Sequence, residues 1–156
     1  MLAEMSDTVN PVMSSLIIHG GKLLSGEIPV RGAKNHALKL LPASILFQDA
    51  ITINRVPHIE DVFRTAELLE RIGFGVEKRG ERTYRISPPA RLTHAALETD
   101  IAERIRASIL FVGPLLVRGG RARFPFPGGC VIGRRPIDLF LDGWKAMGAK
   151  VSIQGT

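Results

Sequence analysis

Two nine-residue stretches of this chain are variants of one pattern. Leu68-Leu69-Glu70-Arg71-Ile72-Gly73-Phe74-Gly75-Val76 and Gly143-Trp144-Lys145-Ala146-Met147-Gly148-Ala149-Lys150-Val151 align without a gap, with Gly73 and Gly148 separated by 75 positions. Each reads as the end of a helix, a glycine stop and the start of a strand. An α/β repeat of that length implies units that bury their sheets and helices against each other.

The elements around these stretches alternate. Leu16-Ile17-Ile18 and Glu27-Ile28-Pro29-Val30 read as short strands about a Gly20-Gly21 turn. Lys34 to Phe47 carries Leu38, Leu41, Ile45 and Leu46 at helical spacings, with Pro42 predicting a kink or a late first turn. Ala50 to Asn54 alternates as a strand, and Glu60 to Ile72 is an amphipathic helix stopped by Gly73. Phe74 to Lys78 and Thr83 to Ser87 form a hairpin across Arg79-Gly80. The second half repeats the order. A helix over Ala102–Val117, its regularity broken by Gly113-Pro114, precedes a strand over Arg121–Phe124. A helix over Pro136–Met147, with proline suited to its first turn, precedes a strand over Gly148–Ile153. The fold class is α/β.

Composition narrows the function classes. With 156 residues, 45% hydrophobic and 23% charged, the chain suits a soluble globular protein with one ordinary core and argues against disorder. Its apolar runs fall short of the ~20 residues that span a bilayer. A single cysteine excludes an intramolecular disulfide framework and fits a reducing compartment. Met1 to Ser15 carries two acidic and no basic groups, which is not a secretory signal; it reads as a disordered leader, with Met5 or Met13 as alternative starts. The net charge of +6 raises nucleic-acid binding. However, Lys78-Arg79-Gly80-Glu81-Arg82 reads as a solvated hairpin turn, and Arg118 to Arg135 holds only Phe124 and Phe126 as aromatics. A base-stacking platform carries more. Arginines in a loop suit small phosphates or carboxylates at least as well, so nucleic acid is a minor alternative.

The two repeats differ at one place. From Ile53 to Asp61 is 8 positions, and from Phe124 to Asp138, at the equivalent places, is 14. The extra residues are the loop Pro127 to Arg135, which contains Cys130. Insertions on a repeated scaffold are where function tends to sit. Cys130 lies among prolines and glycines, with Arg134 and Arg135 close behind. An exposed, electropositive loop favours the thiolate, whose pKa in a free thiol is about 8.5. A lone cysteine is often only a small buried hydrophobe, but that role calls for apolar neighbours at strand or helix spacing. The reactive reading fits this loop better.

A second cluster is Arg31-Gly32-Ala33-Lys34-Asn35, between a strand and a helix. A helix start beside a lysine makes an anion pocket; an ordinary capped helix with a solvated lysine accounts for the same residues equally well. His19, His36, His58 and His94 lack metal-ligand spacing and read as structural or surface residues, so no metal site is expected.

Three motifs, Gly32-Ala33-Lys34-Asn35, Arg106-Ala107-Ser108-Ile109 and Pro127-Gly128-Gly129-Cys130-Val131-Ile132-Gly133 followed by Arg135-Pro136-Ile137-Asp138-Leu139, stand in the order found in one family. From Leu16 onward the chain resembles UDP-N-acetylglucosamine 1-carboxyvinyltransferase, the enolpyruvyl transferase of peptidoglycan synthesis. The sibling family, 5-enolpyruvylshikimate-3-phosphate synthase, has Asp-Lys-Ser at the lysine motif and lacks the cysteine loop. The resemblance implies an inside-out barrel of repeated α/β units, here about two of the three units of one domain. Residues 16–33 are then the opening strands, 34–87 the first unit and 101–156 a truncated second unit. It implies that Lys34 and Asn35 contact phosphoenolpyruvate, that Cys130 donates a proton toward C3 of phosphoenolpyruvate, and that Arg106 reaches both substrates. Arg135 is implied on anionic groups of UDP-N-acetylglucosamine, with Pro136, Ile137, Asp138 and Leu139 as the uridine-binding segment. No cofactor is implied, and the location implied is cytoplasmic.

The chain departs from the family pattern at Lys39, where proline is usual, at Phe140, where histidine is common, and at Arg134, which replaces a small residue. Family members are also much longer, with two domains of three units each. The base toward the sugar hydroxyl and further arginines lie in the part without a counterpart here. The expectation is therefore an inactive fragment, with two alternatives: half of a split enzyme completed by a second polypeptide, or a non-catalytic sugar-nucleotide-binding module. A relative of 5-enolpyruvylshikimate-3-phosphate synthase is the more distant reading.

Overall fold

The architecture follows from a computed structural model that describes residues 17–128 and 136–154. The expected leader, Leu16 and the residues 129–135 around Cys130 lie outside the described residues.

The first repeat is an αβαββ unit. Helix α1 (Lys34–Ala43) tightens into a 3-10 turn over Ser44–Leu46, and β1 (Ile51–Ile53) follows. Pro42 accounts for the tightening, because it has no N–H to continue the α-helical ladder. The Ser44 hydroxyl, itself buried, donates back to the Leu41 carbonyl at 2.6 Å. Helix α2 (Glu60–Arg71) buries Val62, Thr65, Ala66, Leu68 and Leu69 along one stripe, the spacing of an amphipathic helix. It packs on α1 and on β2.

Strands β2 (Gly75–Arg79) and β3 (Thr83–Ser87) form the expected hairpin, its turn exposed. Arg79 clasps Glu77 through two 3.0 Å bonds there, and this hydrogen-bonded guanidinium holds the Glu77 carboxyl below its usual range. The sheet order is β1-β3-β2, antiparallel throughout. β3 lies in the middle. Ile86 faces Ile51 on one side and Val76 on the other, and Tyr84 faces Ile53 and Lys78. Tyr84 and Ile86 are buried while their neighbours are not, which is the period-2 pattern of a sheet with one face on the core.

The second repeat is less regular. The helix expected over Ala102–Val117 is three pieces: α3 (Thr99–Ala102), a 3-10 helix over Arg106–Phe111, and α4 (Val112–Gly119). The break lies at Ile105, whose backbone is extended while its carbonyl accepts the Ser108 hydroxyl at 2.9 Å. The change of helix type at Val112 places Pro114 in the first turn of α4, where a missing N–H matters least. Helix α5 (Asp138–Ala146) is capped by Ile137, so Pro136 precedes the helix instead of opening its first turn.

The glycine stops are alike in detail. Gly73 and Gly148 have φ of 98° and 94°. Gly73 N–H bonds the Glu70 carbonyl and Phe74 N–H the Leu69 carbonyl; Gly148 N–H bonds Lys145 and Ala149 N–H bonds Trp144, each pair 75 positions on. Both are Schellman-type endings, and the left-handed φ is what requires glycine. The N-caps, Ile59 and Ile137, stand 78 positions apart, because α2 has 12 residues and α5 has 9. Counted from the N-caps, Asp138 stands at the place of Glu60.

Four expected strands do not form among the described residues. Residues 17–33 contain no strand, and Ile17, Ile18, Leu23, Leu24, Ile28 and Val30 are all exposed. Residues 121–124 make one parallel bridge, between Arg123 and Ala96. Residues 149–154 run without a sheet partner among the described residues. A strand needs a neighbour to satisfy its backbone, whatever its own pattern.

One core runs through both repeats. Phe111 and Leu115 of the second repeat are fully buried with Leu41, Ile45, Leu68 and Leu69 of the first. Arg118 on α4 ties the repeats together from outside. Its guanidinium donates to the Ile45 and Phe47 carbonyls at 2.8 and 2.6 Å and to Pro89 at 3.4 Å, and it lies 5.4 Å over the Phe74 ring. A small second cluster joins Ile109, Val112 and Ile137 with Phe124, Leu141 and Trp144 at its margin.

Replacing Arg118 by Lys keeps the charge but loses the forked donor set. We expect it to lower the unfolding free energy by about 1–3 kcal/mol, seen as a lower urea midpoint at unchanged m. Gly73→Ala is expected to destabilise the whole chain by about 1–2 kcal/mol, because a side chain at its φ is strained. Gly148→Ala carries the same local strain on a helix with no buried side chain. Hydrogen exchange should show faster opening of α5 with little change in the first repeat; equal global losses from both substitutions would contradict this.

Candidate functional site

Two cations stand where helix electrostatics disfavours them. Lys34 is the first residue of α1, and Arg106 is the first residue of the 3-10 helix over Arg106–Phe111. Neither helix has a side-chain cap or an acid in its first turn. A helix start carries about half a positive charge, so a cation there costs about 0.3–1 kcal/mol in place of the gain an acid brings. Helices α2 and α5 follow the ordinary rule, with Glu60, Asp61 and Asp138 in their first turns. The helices that Lys34 and Arg106 begin pack against each other. Each helix start is thus positively biased, with Asn35 exposed next to Lys34.

Each cation also reaches the next long helix of its own repeat. The Lys34 ammonium pairs with the Asp61 carboxylate on α2. Arg106 donates to the Pro136 carbonyl at 3.0 Å, just ahead of α5. The Lys34–Asp61 pair is partly exposed, and pairs of this kind are worth about 0–1 kcal/mol, so a ligand anion can displace it at low cost.

Two glycines allow the backbone to cross close to these residues. A Cβ on Gly32 would overlap the Arg55 carbonyl, and a Cβ on Gly128 would overlap the Glu103 carbonyl. Gly32 lies two residues before Lys34, and Glu103 three before Arg106. Gly32 thus lets the chain entering α1 cross the chain leaving β1, and Gly128 lets the chain after residues 121–124 cross the chain between α3 and the 3-10 helix. Arg55, the partner of Gly32, has a φ of 57°, the left-handed region that few side chains adopt.

Cys130 and Arg135 lie outside the described residues, as does Arg134. The two described ends of their segment are anchored: Gly128 against Glu103, and Pro136 on the Arg106 guanidinium. Of the Pro136–Leu139 segment, Pro136 and Asp138 are exposed and Leu139 is 88% exposed. Ile137 is buried with Ile109 and Val112, and its carbonyl accepts the Phe140 and Leu141 N–H groups. Its side chain serves the second cluster, and the residue as a whole is buried.

Sequence reasoning missed Asp61 as the partner of Lys34, although its place opposite the lysine motif in the first repeat was a usable signal. It also missed the Gly128–Glu103 crossing, for which no local signal exists. Arg118, grouped by sequence with the anion-binding arginines, is engaged on carbonyls. His58 packs edge-on against Phe63 at 4.8 Å, a structural contact.

Comparison with known proteins places this geometry. The family described as EPSP synthase (3-phosphoshikimate 1-carboxyvinyltransferase) matches residues 18–156. A UDP-N-acetylglucosamine 1-carboxyvinyltransferase of Trichlorobacter lovleyi is 46% identical over 91% of this chain and 33% of its own length. The Acidiphilium cryptum protein of the same name is 43% identical over 92% of this chain and 34% of its own length. The crystal structure of the enolpyruvyl transferase NikO from Streptomyces tendae superposes with a TM-score of 0.56 at 26% identity, covering 66% of this chain and 24% of that one. The chain thus spans about a third of the length of the curated relatives it matches. Repeated α/β units, the lysine and arginine motifs at their helix starts and a match over nearly the whole chain lead to one conclusion: the chain belongs to the EPSP synthase (3-phosphoshikimate 1-carboxyvinyltransferase) family of enolpyruvyl transferases.

Proposed function

We propose that these residues form part of an enzyme that transfers the enolpyruvyl group of phosphoenolpyruvate to the 3-hydroxyl of UDP-N-acetylglucosamine, a cytoplasmic step of peptidoglycan synthesis. The observation that carries the reading is the pair of cations, Lys34 and Arg106, held at helix starts against the local dipole. Such a conflict is tolerated where it serves a ligand. Phosphoenolpyruvate and the diphosphate of the sugar nucleotide are anions, the kind of ligand such cations favour.

In this reading the sugar oxygen bonds to C2 of phosphoenolpyruvate while C3 takes a proton. Loss of a proton from C3 then breaks the C2–oxygen bond to phosphate, which leaves. Cys130 supplies the proton to C3. Lys34 and Asn35 hold phosphoenolpyruvate and Arg106 reaches both substrates. Arg135 and the segment Pro136-Ile137-Asp138-Leu139 hold the nucleotide. Residues 16–156 are then part of one domain, with units over 34–87 and 101–156. The base toward the sugar hydroxyl comes from the remainder of the enzyme, in the same or a complementing polypeptide.

Calorimetric titration tests the assignment. UDP-N-acetylglucosamine and phosphoenolpyruvate should each bind the 156-residue chain when it is supplied with the remaining segment of the Acidiphilium cryptum relative. Lys34→Ala should weaken phosphoenolpyruvate, and Arg106→Ala both ligands, by about 10–100-fold. Phosphate release should require the added segment and should be lost in Cys130→Ala. Unchanged affinities in the Lys34 and Arg106 variants would overturn the site, and phosphate release by the 156 residues alone would overturn the shared-site arrangement. Tight nucleotide binding without turnover under any complementation would favour a non-catalytic binding module.

A further inference from the structure

One residue of the first repeat holds a backbone conformation that its side chain disfavours. Arg55 has a φ of 57°, and among the described residues it alone has a positive φ without being glycine. Glycine or asparagine enters the left-handed region more easily, and strain of this kind persists only where the surroundings over-determine it. Here the surroundings act from both sides. The Thr83 hydroxyl donates to the Asn54 side-chain carbonyl at 3.2 Å. The Val56 N–H donates to the Arg82 carbonyl at 2.9 Å, and the Val56 side chain is buried in the core. Pro57 then keeps Val56 extended. The start of β3 thus pins both neighbours of Arg55 and leaves Arg55 to make the turn between them.

The guanidinium does not account for the strain. It is exposed, and it makes no hydrogen bond or ion pair among the described residues. The carbonyl does account for it. It stands where a Cβ on Gly32 would be, with Pro57 Cδ 3.7 Å from the same point. Only a hydrogen fits there, so the two backbones meet in a Cα–H···O contact.

This contact is placed to act on Lys34. Within residues 17–36, Gly32 alone is not exposed. It is therefore the described anchor of the chain entering α1, whose own start has no side-chain cap. Lys34 follows two residues later, and its ammonium is paired with Asp61. A ligand anion that draws the ammonium away from Asp61 leaves the lysine placed by its backbone. That backbone is the uncapped first turn of α1, with the Arg55 carbonyl behind it.

We propose that Arg55 is a positioning residue for Lys34: its left-handed backbone, and not its guanidinium, sets the carbonyl against Gly32 and so fixes the start of α1 for anion binding. The proposal deepens the assignment of Lys34 to phosphoenolpyruvate and rests on it for the identity of the anion.

Three substitutions separate backbone from side chain. Arg55→Asn and Arg55→Gly remove the guanidinium and keep the left-handed turn, whereas Arg55→Val loses both, because a β-branched residue is an outlier there. In the 156-residue chain without ligand, a nuclear Overhauser contact is expected between the Gly32 α-protons and the Pro57 δ-protons. It should persist in Arg55→Asn and Arg55→Gly, with urea midpoints at or above that of the parent, and should be lost in Arg55→Val. With the remaining segment of the Acidiphilium cryptum relative added, calorimetry should show Arg55→Val binding phosphoenolpyruvate about tenfold more weakly. Arg55→Asn and Arg55→Gly should bind it as the parent does, and UDP-N-acetylglucosamine affinity should be the same in all. Gly73→Ala, a strained change at the opposite end of α2 from Asp61, should cost stability without this split between the substrates. Retention of the Overhauser contact in Arg55→Val, or the same split in Gly73→Ala, would overturn the proposal. Weaker phosphoenolpyruvate binding in Arg55→Asn would overturn it whatever Arg55→Val does, since the guanidinium would then be the working part. The Overhauser contact needs no ligand, so its failure is distinct from failure of the enzymatic reading, which Lys34→Ala reports.

Discussion

The structure depends on the middle place of β3. Neither β1 nor β2 touches the other, so both join the sheet only through that strand. With β3 in place, the first repeat buries the stripe of α2 against a sheet whose inner face is Tyr84 and Ile86. In the second repeat α5 has no buried side chain and residues 150–154 have no sheet partner among those described. The sequences of α2 and α5 end alike, down to paired hydrogen bonds 75 positions apart. The difference between the repeats is therefore one of burial and not of local propensity. Hydrophobic faces need a partner layer, and most helix stability in proteins comes from that packing.

The second repeat is held by what it shares with the first. Phe111 and Leu115 enter the common core, and Arg118 reaches the carbonyls where α1 and its 3-10 extension end. Cation and carbonyls suit each other there, because a helix C-terminus carries partial negative charge. At the start of α1, and at the start of the 3-10 helix over Arg106–Phe111, the sign is reversed and the charge opposes the dipole. Lys34 and Arg106 stand at helix starts, beside backbone crossings that glycine alone permits. One set of basic residues stabilises the fold and another opposes it, and the second set lies in the motifs shared with enolpyruvyl transferases.

Much of this was legible in the sequence wherever the determinants were local. The β2–β3 hairpin, α2 and the glycine stops follow from spacing and turn chemistry, and the lysine and arginine motifs identified the family. Features that depend on distant partners were not legible. Leu16–Ile18 and Glu27–Val30 have strand patterns, but among the described residues of this stretch the apolar side chains remain exposed and no strand forms. The helix expected over Ala102–Val117 breaks at Ile105, where tertiary packing and the Ser108 hydroxyl outweigh propensity. Arg118 looked like a ligand-binding arginine because charge spacing cannot show three carbonyls converging from residues 45, 47 and 89. Asp61 and Gly128 likewise take their importance from contacts that sequence neighbours do not reveal.

The central claim is that β1 and β2 join one sheet only through β3, whereas residues 122–124 and 151–153 do not pair with each other. Cross-strand NOEs between α-protons in solution NMR test it most directly. The account predicts such contacts between Thr52 and Arg85 and between Glu77 and Arg85, which face each other across β3. It predicts none between residues 122–124 and 151–153. Direct contacts between those two segments would show that the second sheet closes on itself, and the account would be wrong.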